Sequence, residues 1–223
     1  MGKTTTSVAT FGCSWTYGVW PENNSWAREF ALQNPEVIVN DYSLGGTSLK
    51  WSTTQLLAHI DSTDTTYKVF QITAPGRYTY EHQDVSKAGM RTQETSNFQK
   101  YNNKMNKNVV PFNTNFRPID NINYTQNQID NAWELQYDAL HPQMEYQEFC
   151  MYIDWLRPHV DFCFFHNRKQ QQKYYTMRGT WLPCVEDEFG TKQFVEWSYD
   201  VGNHFTLTGS QGVAKWVKQN LDQ

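Results

Sequence analysis

The sequence has no long apolar run and no cluster of basic residues, and both absences exclude classes of function. No stretch approaches the ~18 consecutive apolar residues that a membrane-spanning helix requires, so we expect no membrane span. The formal net charge is -4, and basic residues are scattered apart from the pair Arg168 and Lys169. Because nucleic-acid-binding surfaces are normally basic, we expect no nucleic-acid partner.

Cysteine is also scarce, and its spacing argues against a metal site. The four cysteines (Cys13, Cys150, Cys163 and Cys184) are widely spaced and include no C-x-x-C pair, the spacing typical of zinc sites, so we expect no zinc site. We therefore expect neither a metal ion nor another cofactor. The first residues, M-G-K-T-T-T-S, lack the apolar segment of a secretory signal peptide. The expected location is accordingly cytoplasmic or particle-associated.

The first third of the chain does contain a clear alternation of strand-like and helix-like segments. Apolar runs at 7–11, 36–42 and 67–72 predict strands, and the central Val-Ile-Val of the second run suits a buried position. The segments between them space their apolar residues as a helix does. Short connections in this order predict a parallel sheet with right-handed crossovers. A length of 223 residues suits a single domain over residues 1–223.

The alternation stops at about residue 74 and returns only after residue 127. This stretch is rich in Asn, Gln, Thr and Tyr, and a connection of such length usually forms a lid or an insertion. A surface loop without a role is the alternative. Beyond it we predict helices between about 128 and 156, a strand over 160–165, irregular structure over 166–193, a short extended segment over 194–197, and a last helix over 209–221 with Thr208 as its cap.

Two groups of residues suggest chemistry. Ser14 lies in the sequence G-C-S-W-T-Y-G directly after the first strand, and ligands of open α/β sheets bind at the carboxyl ends of strands. Near the other end of the chain, Asp200 precedes His204 by four positions. A carboxylate can fix the tautomer of a histidine that activates a serine. The alternatives are an ordinary strand-to-loop turn for the serine and a helix-capping surface residue for the histidine.

Taken together, these segments resemble the sequence blocks of the SGNH (GDSL) hydrolases. Residues 12–18 are similar to the first block, Gly-Asp-Ser-x-Thr/Ser-x-Gly, and N-D-Y-S-L-G-G-T-S at 40–48 is similar to the second. The sequence D-V-G-N-H at 200–204 is similar to the final block. The resemblance covers the first third and the last two dozen residues. It implies a three-layer α/β/α sandwich of the flavodoxin-like type, with a mainly parallel sheet of about five strands and a long polar insertion at about 74–127.

The resemblance also implies a role for each matching residue. Ser14 would be the nucleophile, His204 the base that deprotonates it, and Asp200 the residue that orients the histidine. The backbone N–H groups of Ser14 and Gly45 would form the oxyanion hole, with Gly46 as the alternative to Gly45 because the two glycines allow a shift by one residue.

The sequence departs from the family pattern at three points. Cys13 replaces the aspartate of the first block, and a cysteine is itself a conceivable nucleophile, although strand alternation turns it away from the serine side. The third block, Gly-x-Asn-Asp, is missing, and Q-I-T-A-P-G-R stands in its place. Thr73 or Arg77 would then substitute for the side-chain hydrogen-bond donor that this asparagine supplies in the family, or Arg77 would instead bind an anionic or polar substrate. Gly46, Thr73 and Arg77 are thus the candidate substrate-binding residues. Finally, three residues separate the acid from the base, where two are commoner.

The function implied is that of a serine esterase, which hydrolyses a small-molecule or glycan ester through an acyl-enzyme. The aromatic and amide-rich middle of the chain favours a carbohydrate O-acetyl group as the substrate. The alternative is a catalytically weakened module of the same fold that binds carbohydrate or serves in a virion or other assembly, which the missing asparagine favours. Acyl transfer to an acceptor other than water is a third reading.

Overall fold

The structure is a computed structural model that describes residues 6–18, 24–44, 47–73, 77–81, 109–113, 142–198 and 204–223, of which 77–81, 109–113 and 142–145 are described by their backbone only. The strands in these ranges are β1 (Ser7–Phe11), β2 (Ile38–Asp41), β3 (Tyr67–Ile72), β4 (Arg77–Glu81), β5 (Val109–Asn113) and β6 (Phe162–Phe165). The α-helices are α1 (Ser14–Tyr17), α2 (Trp26–Gln33), α3 (Leu49–Ala58), α4 (Pro142–Leu156), α5 (Arg168–Arg178), α6 (Val185–Phe189), α7 (Thr191–Glu196) and α8 (Leu207–Leu221). A 3₁₀ turn at Arg157–His159 follows α4.

The main sheet is parallel throughout and has the strand order β2-β1-β3-β6. This order is that of flavodoxin-like doubly wound sheets, in which the chain reverses direction across the sheet between the first and third strands. Ligands of such sheets bind at the carboxyl ends of those two strands. The predicted parallel α/β sheet is confirmed, with four strands in the described ranges where about five were expected.

Side chains alternate between the two faces of the sheet and build a core on each. Neighbouring residues of one strand enter different cores, as Val8 and Ala9 do in β1. One core packs against α2 and α8 and contains Trp26, Phe30, Phe164, Val213, Trp216 and Val217. The other packs against α3, α4 and α5 and contains Phe11, Leu56, Phe70, Ile153, Phe165 and Tyr174. Helices therefore cover both faces, and the predicted three-layer sandwich is confirmed.

Polar side chains at the helix starts fix where three of these helices begin. The side-chain oxygens of Ser25, Ser48 and Thr206 accept hydrogen bonds from backbone N–H groups in the first turns of α2, α3 and α8. The cap of the last helix is thus Thr206, and the predicted cap Thr208 lies inside the first turn. None of the helices in the described ranges is both long and apolar enough to cross a membrane.

The other differences from the sequence predictions have physical reasons. Residues 166–193 were predicted to be irregular but contain α5, which is capped by Asn167 and ends at Gly179 in the left-handed conformation (φ 65°). Of the side chains of α5, Gln171 and Tyr174 are buried, so its apolar periodicity is faint. The predicted extended segment at 194–197 is also wrong, because most of it belongs to α7.

Two further differences concern strands. The stretch predicted to be a lid contains β4 and β5, which pair in antiparallel fashion with Arg77 opposite Asn113. β2 is an edge strand rather than a buried one, and its Ile38 is 53% exposed. The predicted helical region upstream of Pro142 lies outside the described residues.

Candidate active site

The strand β1 carries Ser14 to the carboxyl edge of the sheet. All five residues of β1 are buried, and after Gly12 and Cys13 the short helix α1 begins at Ser14. The backbone N–H groups of Thr16 and Tyr17 donate to the carbonyl of Cys13 at 2.9 and 3.0 Å, which closes the turn. Ser14 is 6% exposed, so its hydroxyl lies just beneath the surface. The turn at 12–18, called the serine turn below, therefore presents a nearly buried hydroxyl where this type of sheet binds ligands.

His204 lies directly against that hydroxyl. Its Nε2 is 2.6 Å from Ser14 Oγ, although 190 residues separate the two in sequence. In the neutral tautomer with the proton on Nδ1, Nε2 accepts and the serine O–H donates. This distance is within hydrogen-bond reach, as a base and the proton it removes require. The structure thus brings together the two residues predicted to be base and nucleophile.

The indole of Trp15 supports the histidine ring from the side. The ring centroids of Trp15 and His204 are 5.4 Å apart, with 31° between their planes. Trp15 is 4% exposed and also packs against Phe194 and, edge to face, against Phe205 at 4.5 Å. These contacts restrict the positions that the imidazole can adopt beside Ser14.

A second histidine, which sequence reasoning missed, lies at the same edge. His166 follows β6 directly, is 6% exposed, and stacks on Trp15 with ring centroids 4.5 Å apart. Its Nε2 lies 2.8 Å from the side-chain nitrogen of Asn167. The signal that could have found it is the same one that found Ser14, namely a polar residue directly after a strand of apolar residues.

The segment that leads to the glycine pair is tied to the serine turn. The Ser52 hydroxyl donates to the carbonyl of Gly12 at 3.1 Å, and the backbone N–H of Leu44 approaches the same oxygen at 3.4 Å. The carboxylate of Asp41 accepts from the backbone N–H of Ser43 at 3.0 Å. The residues on both sides of positions 45 and 46 are therefore anchored beside Ser14.

Several predicted site residues lie beyond what the structure describes. Gly45, Gly46 and Asp200 are outside the described residues, and Arg77 is described only as the first residue of the strand β4. Thr73 follows β3, is fully buried, and stands at the same edge of the sheet as Ser14 because β1 and β3 are parallel neighbours. The roles assigned to these residues stay predictions.

Cys13 is a core residue in this structure. It is 1% exposed and belongs to the core on the α2 and α8 face. The imidazole of His204 contacts the hydroxyl of Ser14, which makes the serine the better candidate for a nucleophile. Within the described ranges, no three His, Cys, Asp or Glu side chains are grouped so that they could hold a metal ion.

Tyr17 lies near the end of the serine turn, and its surroundings change the pKa of its phenol. Burial, and to a lesser extent the carboxylate of Asp41, raise the pKa of Tyr17 above its ordinary value. The phenol is therefore neutral over the whole physiological range.

The chain matches no known family model, and no curated protein sequence matches it significantly. Several solved structures are similar to it, and two of them align over nearly its whole length. One is the crystal structure of TesA, with a TM-score of 0.47 and 9% identity, covering 96% of this chain and 97% of that chain. The other is a protein of the G-D-S-L family from Desulfitobacterium hafniense DCB-2, with a TM-score of 0.41 and 10% identity, covering 96% of this chain and 99% of that chain.

Proposed function

We propose that the protein is a serine hydrolase that cleaves an ester through an acyl-enzyme. The observation that carries the proposal is the 2.6 Å contact between Ser14 Oγ and His204 Nε2 at the carboxyl edge of the sheet. A serine hydroxyl is a weak nucleophile at neutral pH, and an adjacent base activates it. The near-complete burial of the serine turn adds to this, because a fixed hydroxyl reacts faster than a mobile one.

The reaction would follow the usual two halves of acyl transfer. Ser14 Oγ attacks the ester carbonyl carbon while His204 Nε2 takes the hydroxyl proton, and a tetrahedral oxyanion forms. When the intermediate collapses, the carbon–oxygen bond to the leaving alcohol breaks and the imidazolium returns the proton to that alcohol. Water then attacks the acyl-enzyme with His204 again as the base, which releases the acid and restores Ser14.

Two further groups complete the proposed machinery. The backbone N–H groups of Ser14 and Gly45, or Gly46 in its place, would donate to the oxyanion, and loss of one such donor costs ~3 kcal/mol of barrier. Asp200 would hold His204 in the tautomer that accepts at Nε2. The bonds that anchor Leu44 and Ser52 to the Gly12 carbonyl support the first role, because they hold residues before and after positions 45 and 46 against the serine turn.

For the substrate we propose a carbohydrate O-acetyl group. The support is compositional: the segment 74–127 is rich in amide side chains, which bond to hydroxyl groups, and it contains Tyr and Phe side chains, which stack on sugar rings. Thr73 stands at the correct edge of the sheet to contact such a ligand, and Arg77 follows four residues later at the start of β4. An acetylated glycan should then be hydrolysed with a lower KM than p-nitrophenyl acetate.

The test of the proposed function is hydrolysis of p-nitrophenyl acetate together with labelling by a fluorophosphonate probe. Ser14→Ala and His204→Ala should each lower kcat/KM at least ~10³-fold and abolish labelling, as removal of such residues does in other serine hydrolases. Ser62→Ala and His159→Ala, which change the same residue types away from the site, should keep the wild-type rate. Equal rates for wild type and Ser14→Ala, with both proteins folded by circular dichroism, would refute the proposal.

Because the third-block asparagine is missing, a second function competes with the hydrolase, and the same test distinguishes the two. A weakened module of the same fold, binding carbohydrate or serving in a virion or other assembly, would retain the glycan affinity but show no turnover and no labelling. Binding of an O-acetylated glycan that is unchanged by Ser14→Ala, in a wild type that the probe does not label, would favour that module.

A further inference from the structure

Gln71 of β3 forms a buried junction beneath the serine turn. Its side chain is fully buried, and its Oε1 accepts hydrogen bonds from Thr16 Oγ1 at 2.7 Å and from Trp26 Nε1 at 2.9 Å. An indole N–H can only donate, so the oxygen of the amide must face it. The orientation of the amide is therefore fixed by its partners, and one oxygen joins α1, α2 and β3.

The bond to Thr16 matters because it ties α1 directly to β3, in addition to the apolar packing of Trp15. This helix is only four residues long, and no side chain caps its N-terminus. Thr16 lies two residues after Ser14, and its own carbonyl accepts a hydrogen bond from the Ser25 hydroxyl. The hydroxyl and the carbonyl of Thr16 are thus each bonded to a neighbouring segment, and these bonds fix the direction in which α1 leaves the strand.

The turn also sits unusually close to β3. A Cβ atom at position 12 would lie 2.2 Å from Thr16 Oγ1 and 3.3 Å from Gln71 Cβ, so only glycine fits there without a shift. The absent side chain of Gly12 is what lets the threonine hydroxyl reach the glutamine. The hydrogen bond between Thr16 and Gln71 and the close approach of the turn to β3 therefore both require a glycine at position 12.

We propose that Gln71 is a positioning residue, which acts through Thr16 to hold Ser14 at hydrogen-bond distance from His204. The inference rests on the proposed function and adds a residue to it that lies outside the reacting groups. The amide nitrogen has no partner among the described residues, so the oxygen is the atom that does the positioning. A carboxylic acid in the same place should therefore serve nearly as well.

The experiment compares four single variants and one double variant by probe labelling, by kinetics on p-nitrophenyl acetate and by melting temperature. Gln71→Met and Thr16→Val keep the volume but remove one end of the bond. Each should lower the labelling rate and kcat by about 10- to 100-fold, the cost of a reacting group misplaced by about 1 Å, with KM changed less than threefold. The double variant should be no slower than the slower single one, because both break the same bond.

The two remaining variants separate positioning from stability. Gln71→Glu keeps an acceptor oxygen and should restore the rate to within about threefold of wild type. Trp26→Phe removes the other bond to the same oxygen, outside the serine turn, and should lower the melting temperature while the labelling rate holds. Gln71→Met labelled at the wild-type rate would overturn the proposal, as would rate losses that multiply in the double variant. If Gln71→Met does not fold, the test uses Thr16→Val, and labelling of that variant at the wild-type rate would overturn the proposal.

A measurement without turnover keeps this inference distinct from the proposed function. The nitrogen chemical shifts of the His204 imidazole report its hydrogen bond to Ser14, whether or not the protein is an enzyme. A wild type that is neither labelled nor active, but whose His204 shift changes in Thr16→Val and not in Gln71→Glu, would refute the hydrolase and support the positioning role. A His204 shift that is the same in all four variants, together with unchanged labelling, would refute the positioning role.

Discussion

The two halves of the candidate site are held by different kinds of interaction. Buried polar bonds anchor the serine turn: Thr16 bonds to Gln71 in β3, and the Gly12 carbonyl accepts from Ser52 in α3. Aromatic packing surrounds the segment that carries His204, where the indole of Trp15, itself a residue of the serine turn, contacts both the imidazole and the ring of Phe205.

This difference suits the two parts of the reaction. A nucleophile must be fixed along one direction of attack, and directional hydrogen bonds in a buried site provide that. A base that takes up and returns a proton changes its charge, and an aromatic face tolerates both the neutral and the cationic ring. We therefore expect changes beneath the serine turn to act on the rate more steeply than changes around the histidine.

The largest predicted effect comes from adding one methyl group on the serine side. Gly12→Ala places a Cβ 2.2 Å from Thr16 Oγ1, which must break the bond to Gln71. We expect kcat/KM on p-nitrophenyl acetate to fall at least ~100-fold. Gly212→Ala is the matched change in α8, the helix that follows the histidine segment, since its Cβ would lie 2.2 Å from the far end of the Trp197 ring.

The comparison predicts different outcomes for these two alanines. The Trp197 ring can turn aside, so Gly212→Ala should lower the melting temperature but reduce kcat/KM less than ~10-fold. Gly190→Ala, where no atom lies within 4 Å but φ is +80° and ψ is 150°, is the control for backbone strain and should cost about 1–3 kcal/mol without loss of rate. Equal loss of rate in Gly12→Ala and Gly212→Ala would break the distinction between the two halves.

A smaller effect is expected from the aromatic support of the histidine. Trp15→Leu removes the ring face beside His204 but keeps an apolar residue in the core. We expect kcat to fall by about 10-fold, because the imidazole gains positions that do not face Ser14 and its cationic form loses the ~1 kcal/mol that an indole face provides. The measurement is kcat and KM on p-nitrophenyl acetate.

Trp181→Leu is the control for that change. Trp181 is 49% exposed and contacts Tyr175 rather than the site, so the same substitution there should leave kcat unchanged. An unchanged kcat in Trp15→Leu would show that the histidine is held by groups other than the indole.

The sequence predicted the serine side of the site better than the histidine side, and the reason is physical. β1 and the turn after it are contiguous in sequence, and the apolar run, the flanking glycines and the apolar spacing of α3 further on are all local signals. The partnership of Ser14 with His204 was predicted only through the resemblance of two distant segments to known blocks. Neither residue carries a local signal that gives the distance between them.

Other features left weak signals in the sequence, or none. Gln71 is a polar residue within an apolar strand, and nothing in the sequence indicates that its oxygen joins α1 to α2. His166 has the signal of a polar residue directly after an apolar strand, but its stacking on Trp15 is a tertiary contact that the sequence does not show. The helix α5 was missed because its exposed face is almost wholly polar, so the cap at Asn167 and the glycine at 179 were its main signals.

The smallest predicted effect concerns pH and again lies in the serine turn. Burial first, and then Asp41, raise the pKa of Tyr17 above its ordinary value of 10.0. Above that pH the unfolded chain has lost the phenolic proton while the folded chain keeps it, so the unfolded state binds fewer protons. Stability therefore falls as pH rises from about 10 toward the raised pKa of the folded state.

Tyr17→Phe removes this contribution. Between pH 8 and pH 10.5 the melting temperature of this variant should therefore fall by a few degrees less than that of wild type. Tyr175→Phe, which alters an exposed phenol 40% accessible to solvent, should follow the wild-type curve. If Tyr17→Phe followed the wild-type curve as well, the ionisation of Tyr17 would contribute nothing to the unfolding of the protein at alkaline pH.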